Sequence, residues 1–395
     1  MASIGVVLER NKGIGPGFDF LRVALATSIV LAHSFQLIYG LADMDSGHAA
    51  WFLVLEQVPM FFALSGFLVT GSAMRLRLRD FVLNRSLRIV PALAVDIVVA
   101  ALLIGPLMSV VPFSEYVTSS EFYLYFFNII GFPHYRLPGV FGDNPLRNIV
   151  NGSLWTVSFE IGCYIIISIL IYTQVLRSSS KFLVTFFIVI LLSVYMNEYV
   201  AGYISSFSSI PGMIIAAIIR NYTNFTGSHL YIYFVGGIFF YIFRFKIPHT
   251  GYLAVASICF IIIISVIGSA YFKSRLYHLL FMPVILYLTA YIGLMEIPDI
   301  PLYKRGDYSY GMYLYGFPLQ QTLILMLGPQ LGVWPHFAIS MLVTTAMAMF
   351  SWHFIEKPIL RLRKKFSFTA RKGSGDSLSH NLPTATADAP QSGST

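Results

Sequence analysis

The sequence predicts an all-α polytopic membrane protein of about ten transmembrane helices with both termini in the cytoplasm. Three observations predict it. Of the 395 residues, 56% are hydrophobic and only 11% charged, against roughly 25% charged in a soluble domain. Apolar runs of about 20 residues, each able to cross ~30 Å of hydrocarbon as a helix, recur along nearly the whole chain with no soluble domain between them. Finally, 20 of the 26 Lys and Arg residues fall in or beside the segments that a cytoplasmic N-terminus places inside. These are Arg10 and Lys12; Arg75, Arg77, Arg79, Arg85 and Arg88; Arg177 and Lys181; Arg244 and Lys246; Lys304 and Arg305; and the run from Lys357 to Lys372. Arg136, Arg147, Arg220, Lys273 and Arg275 lie outside, with Arg22 at the inner edge of the first span. The positive-inside rule is satisfied. The net charge of +8 therefore reports topology rather than a nucleic-acid partner.

Taken in order, residues 1–17 are a cytoplasmic segment. They lack the basic start, apolar core and cleavage site of a signal peptide, so the first span is retained. Spans are expected near 20–39, 51–73, 89–111, 153–175, 182–199, 229–243, 251–271, 276–295, 308–327 and 336–355, inside one transmembrane domain over 18–362. The sixth is short. Cys163 and Cys259 both fall within spans and read as inert core residues rather than a disulfide or metal pair. Residues 363–395 begin basic and continue rich in Ser, Thr, Gly, Ala and Pro, too poor in large apolar residues to pack, so a disordered tail is expected. No repeat of fixed period and no matched pair of broken helices is visible, which counts against an inverted-repeat transporter.

A few polar residues stand out against this background. Arg22 and His33 are eleven residues apart, three helical turns plus about 20°, so they share one face with Ala26, Ile29 and Gln36. Arg22 lies near the cytoplasmic edge and His33 about 16 Å further along, near the outer surface. Glu160 is the only acidic residue of the fourth span. Counted from the span ends, it lies roughly 10 Å and His33 about 9 Å below the outer surface. Equal depth permits a pair in which the carboxylate orients the imidazole and stabilises its protonated form. The bland reading is a helix-to-helix hydrogen bond. Arg85 and Arg88, three residues apart at the start of the third span, share a face. They suit phosphate groups through bidentate bonds, or headgroup anchoring. The outer loop from about 112 to 152 is dense in aromatics, among them Tyr123 and Tyr135, with His134, Arg136 and Asp143 nearby. Such faces suit a sugar or amphiphile, or an interfacial position at headgroup level. Sequons occur at Asn151, Asn221 and Asn224. No cluster with metal-ligand spacing is present, so no metal is implied.

Six segments in fixed order then add a resemblance. FDFLRVALATSIVLAHS, FFALSGFLVTG, RSLRIVPAL, SLWTVSFE, YSYGMYLYGFPLQ and FIEKPIL together resemble the acyltransferase-3 family of integral membrane acyltransferases, over roughly residues 18–362. The resemblance implies ten spanning helices and acyl transfer from cytosolic acyl-coenzyme A, acetyl-coenzyme A being the expected donor, to an acceptor that is commonly a hydroxyl of an envelope glycan. By the same resemblance His33 and Glu160 are catalytic, Arg22, Arg85 and Arg88 hold the donor, and Trp155 joins Tyr123 and Tyr135 as acceptor contacts. Gly316 departs from the pattern, standing where many relatives have histidine. A bacterial inner (plasma) membrane location and contact with membrane lipid follow as expectations; the oligomeric state does not. Two alternatives stay open: a proton-coupled transporter or flippase of a glycan-lipid, and an O-acyltransferase of a small molecule or lipid headgroup.

Overall fold

The computed structural model describes residues 1–13, 15–40, 56–195, 227–267, 275–297 and 306–366. Among the described residues the chain is helical, with loops and two isolated β-bridges, Ser3 with Pro248 and Ser109 with Val140. A short helix, α1 (Ile4–Arg10), comes first. Each expected span then falls on a helix: α2 (Phe18–Tyr39), α3 (Gln57–Ala73), α4 (Leu78–Met108), α5 (Gly152–Tyr172), α6 (Ser179–Tyr195), α7 (His229–Ile242), α8 (Gly251–Ile267), α9 (Arg275–Gly293), α10 (Ser309–Leu327) and α11 (Val333–Ser351). By length and composition, α2, α4, α5 and α11 with its continuation to Arg361 can cross a membrane. The expected positions 51–55, 196–199 and 268–271, the sequons at Asn221 and Asn224, and the tail beyond residue 366 lie outside the described residues.

Helix α1 is an addition to the expected set. Ser3 caps it by accepting a hydrogen bond from Val6 N at 3.3 Å, and Ile4 and Leu8, one turn apart, are buried. Backbone bonds from Ile4 N to Ile247 O and from Gly5 N to Arg244 O fasten it to the segment joining α7 and α8. Seven residues cannot hold a helix alone. Packing holds this one, and no span-length apolar run announces it.

Helix α4 starts at Leu78 rather than near 89. Its first turns, LRDFVLNR, are charged but rich in helix-forming Leu and Arg, so the helix continues past the apolar stretch. A wide π turn at Ala100–Ile104 interrupts its far half. The hydroxyl of Tyr116, from the following short helix Phe113–Thr118, donates to Ala101 O in that turn at 2.7 Å. A π turn leaves carbonyls poorly paired, and the tyrosine supplies the missing donor.

The short sixth span is an enclosed helix. Nearly every residue from Leu230 to Ile238 of α7 is buried, the pattern of a helix apolar on all sides. It packs backbone to backbone on α3. A Cβ on Gly66 would collide with the Phe234 carbonyl, and one on Gly237 with the Ala63 carbonyl. Small residues permit this approach, which is how helices associate where no hydrophobic force separates them from lipid.

Amide side chains fasten α10 to its neighbours. Gln320 Nε2 donates to Val30 O and to Ser34 Oγ of α2, both at 2.8 Å. Gln321 Nε2 donates to Leu146 O at 2.9 Å and to Ile149 O at 2.8 Å, and Asn144 Nδ2 returns a bond to Gln321 Oε1 at 2.7 Å. Buried amides that donate across a helix interface in this way fix register between helices.

Candidate active site

Helices α2, α3, α4, α5 and α10 surround a cavity of about 390 Å³. Its half-open lining residues on α3 are Val58, Phe61, Ser65, Leu68 and Ser72, three or four apart on one face of an otherwise largely buried helix. With Arg75 just past the helix end, this stripe follows the cavity for about 25 Å, most of the bundle's depth.

One end of the cavity is basic. Arg22 of α2, Arg85 and Arg88 of α4, and Arg75 line it together, so the structure joins four arginines of which sequence spacing could pair only Arg85 with Arg88. A carboxylate organises them. Asp307, immediately before α10, forms an ion pair with Arg88, and its Oδ2 lies 3.5 Å from Arg22 Nη1. Ser309 Oγ donates to the other carboxylate oxygen at 2.7 Å. Burial alone would raise the Asp307 carboxyl, but Arg88, Arg22 and the Ser309 hydroxyl hold it below the usual carboxylate range. Arg22 is also bound from its own helix by Asp19 at 2.9 Å. Arg85 Nη2 donates to Ser72 Oγ at 3.3 Å, whereas its buried Nε has no partner among the described residues.

Glu160 opens onto this same cavity. Its Oε1 accepts from the Tyr164 hydroxyl one turn along α5, at 3.0 Å. The helix that carries Glu160 has a buried start. Helix α5 begins with a 3-10 turn, Gly152–Thr156, and the preceding Asn151 is fully buried. Asn151 Nδ2 donates to Asp96 Oδ2 and Leu314 O, both at 2.9 Å. The start of the helix is thus anchored inside the bundle. The same burial leaves the Asn151 sequon no room for a glycan.

His33 stands apart from the arginines. Its ring and that of Phe317 meet edge to face, with centroids 4.9 Å apart, and no hydrogen bond or ion pair joins His33 to Glu160 among the described residues. The cavity nevertheless points toward it. At the end opposite the arginines lie Val58, Phe61, Thr156 and Tyr313, and Phe317 follows Tyr313 by one turn of α10, about 6 Å. Tyr313 is held in place: its hydroxyl pairs with Thr156 Oγ1 at 2.6 Å and donates to Ser153 O at 3.1 Å.

The three aromatic residues expected to meet the acceptor are not brought together. Tyr123 is 59% exposed. Tyr135 packs partly buried against the core of its own loop, and its carbonyl accepts from Val150 N at 2.7 Å. Trp155 packs edge-on to Phe159, with ring centroids 6.1 Å apart. Sequence reading missed Asp307, Tyr164, Tyr310 and Tyr313. A signal existed for two of them: Tyr164 is the i+4 neighbour of Glu160, and Asp307 is an acidic residue at the mouth of a span.

Comparison with known proteins adds the family. The acyltransferase-3 model, described as an acyltransferase domain, matches residues 16–353. The chain belongs to the acyltransferase-3 family. It is therefore an acyltransferase, and its apolar helices make it an integral membrane one. Relatives include nodulation protein 10 of Rhizobium leguminosarum bv. viciae, 26% identical over 386 residues, covering 92% of this chain and 98% of that protein. Another is the O-acetyl transferase of Shigella phage Sf6, 25% identical over 354 residues, covering 87% of this chain and 95% of that protein. No solved structure matches.

Proposed function

We propose that this acyltransferase moves an acyl group, acetyl in the first instance, from cytosolic acyl-coenzyme A to a hydroxyl of an envelope glycan on the outer side of a bacterial inner membrane. The observation that carries the reading is the cavity with an arginine mouth that runs most of the bundle's depth and ends one helical turn short of the Phe317 that touches His33. Arg22, Arg85 and Arg88 neutralise the phosphates of the coenzyme, for which guanidinium forks are well suited. The pantetheine arm lies along the α3 stripe, where Ser65, Ser72, Tyr310 and Thr156 offer hydroxyls to its amides. The acetyl O-transfer named for the phage relative agrees with a thin cavity and a small acyl group.

At the far end an alcohol attacks the thioester carbonyl. His33 takes the hydroxyl proton as the new C–O bond forms, the C–S bond breaks, and the proton passes to the departing thiolate. An acyl-imidazole on His33 is the variant route, with histidine as acyl carrier. Glu160 serves this reaction from within the donor cavity, where with Tyr164 it presents an acceptor to the amide N–H groups of the arm.

The test uses proteoliposomes of wild type and His33→Ala with acetyl-coenzyme A and an envelope-glycan extract, following free thiol together with label in the glycan. Both signals should require His33. Correctly folded wild type that releases no thiol with acetyl, succinyl or longer donors would overturn the reading. A transporter would move the glycan without consuming thioester.

A further inference from the structure

The α3 stripe changes character along its length. Toward the arginines it carries the small residues Ser65 and Ser72, with Leu68 between them; toward the His33 end it carries Phe61 and Val58. Phe61 is half-open to the cavity. Its ring stands against that of Tyr313, with centroids 6.3 Å apart at 62°, and it packs against the buried cluster of Val23, Ala26, Tyr308, Met312 and Ala348. The Tyr313 ring is held by two hydrogen bonds, whereas a phenylalanine ring has only packing to hold it. About 390 Å³ spread over some 25 Å admits one extended chain. That chain must pass these two rings before its end can approach the layer of Phe317 and His33.

We infer that Phe61 is the acyl-size determinant of this enzyme: with the fixed Tyr313 it forms a bottleneck that passes a thin, unbranched acyl group and holds back a branched or aromatic one. The inference rests on the donor path proposed above and deepens it, because it names the part of the donor that the protein selects. Hydrophobic sites discriminate weakly against a missing methylene but strongly against bulk that cannot be accommodated. A bottleneck formed by two such rings therefore discriminates by width more than by length.

The experiment compares acetyl-, butyryl-, isobutyryl- and benzoyl-coenzyme A as donors for purified full-length wild type, Phe61→Ala and Phe61→Leu in proteoliposomes. It records thiol release and acceptor labelling, with coenzyme A binding measured alongside as a check on folding. Wild type should use acetyl at least tenfold faster than isobutyryl and benzoyl, with butyryl in between. Phe61→Ala should bring all four within about threefold of one another, through the wide donors' kcat/KM, while retaining coenzyme A affinity. Phe61→Leu should fall between the two. Wild type that uses benzoyl as well as acetyl, or a coenzyme-binding Phe61→Ala whose donor profile is unchanged, overturns the inference. If wild type consumes no donor at all, the proposed function fails instead, and the two failures are distinguishable.

Discussion

The two ends of the cavity are built on opposite plans. At the basic end, three arginines meet Asp307, Asp19, Ser309 and Ser72, and Asp307 and Arg22 each have more than one partner. At the other end an imidazole packs edge to face with a phenylalanine, beneath which stand two aromatic rings. The contrast separates two tasks. Holding a polyanion needs several positive groups fixed in advance, because ordering long side chains on binding costs affinity. Proton transfer needs one group of suitable basicity and room for the reacting atoms. The basic end is therefore expected to control how tightly the donor binds, and the histidine end how fast it reacts.

The largest effect should come from His33→Ala. Loss of a general base costs roughly 10²- to 10⁴-fold in turnover, while coenzyme A affinity, measured by isothermal titration in detergent, stays within about twofold. If affinity falls in parallel with turnover, the division between the ends breaks. Next comes Arg88→Ala, which removes one partner of a buried charge pair and a phosphate contact together. The donor KM should rise roughly 30-fold or more, with kcat at saturating donor little changed. Repeating the comparison with a donor lacking the ribose 3′-phosphate sharpens it. A smaller penalty with that donor assigns Arg88 to this phosphate; an equal penalty assigns it to the diphosphate.

Asp307→Asn should act in the same direction but more weakly. Without the carboxylate, Arg22 and Arg88 repel each other and lose their fixed geometry, so the donor KM should rise on the order of three- to tenfold and become more sensitive to salt. The pH dependence has a defined sign. A carboxyl held below its ordinary value contributes fully above an unfolded value of about 4, and its contribution is lost only as pH falls through the lower folded value. The difference between wild type and Asp307→Asn should stay flat from pH 5 to 8. A difference that changes across that range places the controlling titration elsewhere.

Sequence legibility follows the same division. The helices were readable because each is an apolar run of membrane length, and Arg22, Arg85 and Arg88 were readable as cations that hydrocarbon does not tolerate without reason. Where they meet was not. Arg22 and Arg88 join through Asp307, 219 residues beyond Arg88, and no local pattern reports a contact that tertiary packing creates. The cavity onto which Glu160 opens was not readable either, because the start of its helix is fixed by bonds from Asn151 to Asp96 and Leu314, far away in the sequence. Helix α1 escaped because its seven residues depend on the α7–α8 connection rather than on their own periodicity. Phe61 was quoted within FFALSGFLVTG but could not be told from its neighbour Phe62, since only packing reveals that the first faces the cavity half-open while the second is buried.

The smallest effect distinguishes support from binding within the basic end itself. Ser72 Oγ accepts from Arg85 Nη2 at a long 3.3 Å while donating to Val69 O at 2.8 Å. A hydrogen bond to a charged group is worth about 1.5 kcal/mol at the lower end, and this one is partly exposed and near the distance limit, so it is worth less. Ser72→Ala should raise the donor KM only about twofold. Arg85→Ala should raise it far more, because that guanidinium keeps a buried Nε without a protein partner among the described residues, a donor that a phosphate oxygen can satisfy. The ratio of the two effects is the informative quantity. If Ser72→Ala costs as much as Arg85→Ala, the arginine depends on the serine for its position and the network is one cooperative unit. If the serine costs twofold and the arginine tenfold or more, Arg85 is held by its packing between α4 and α5, and its free valence belongs to the donor.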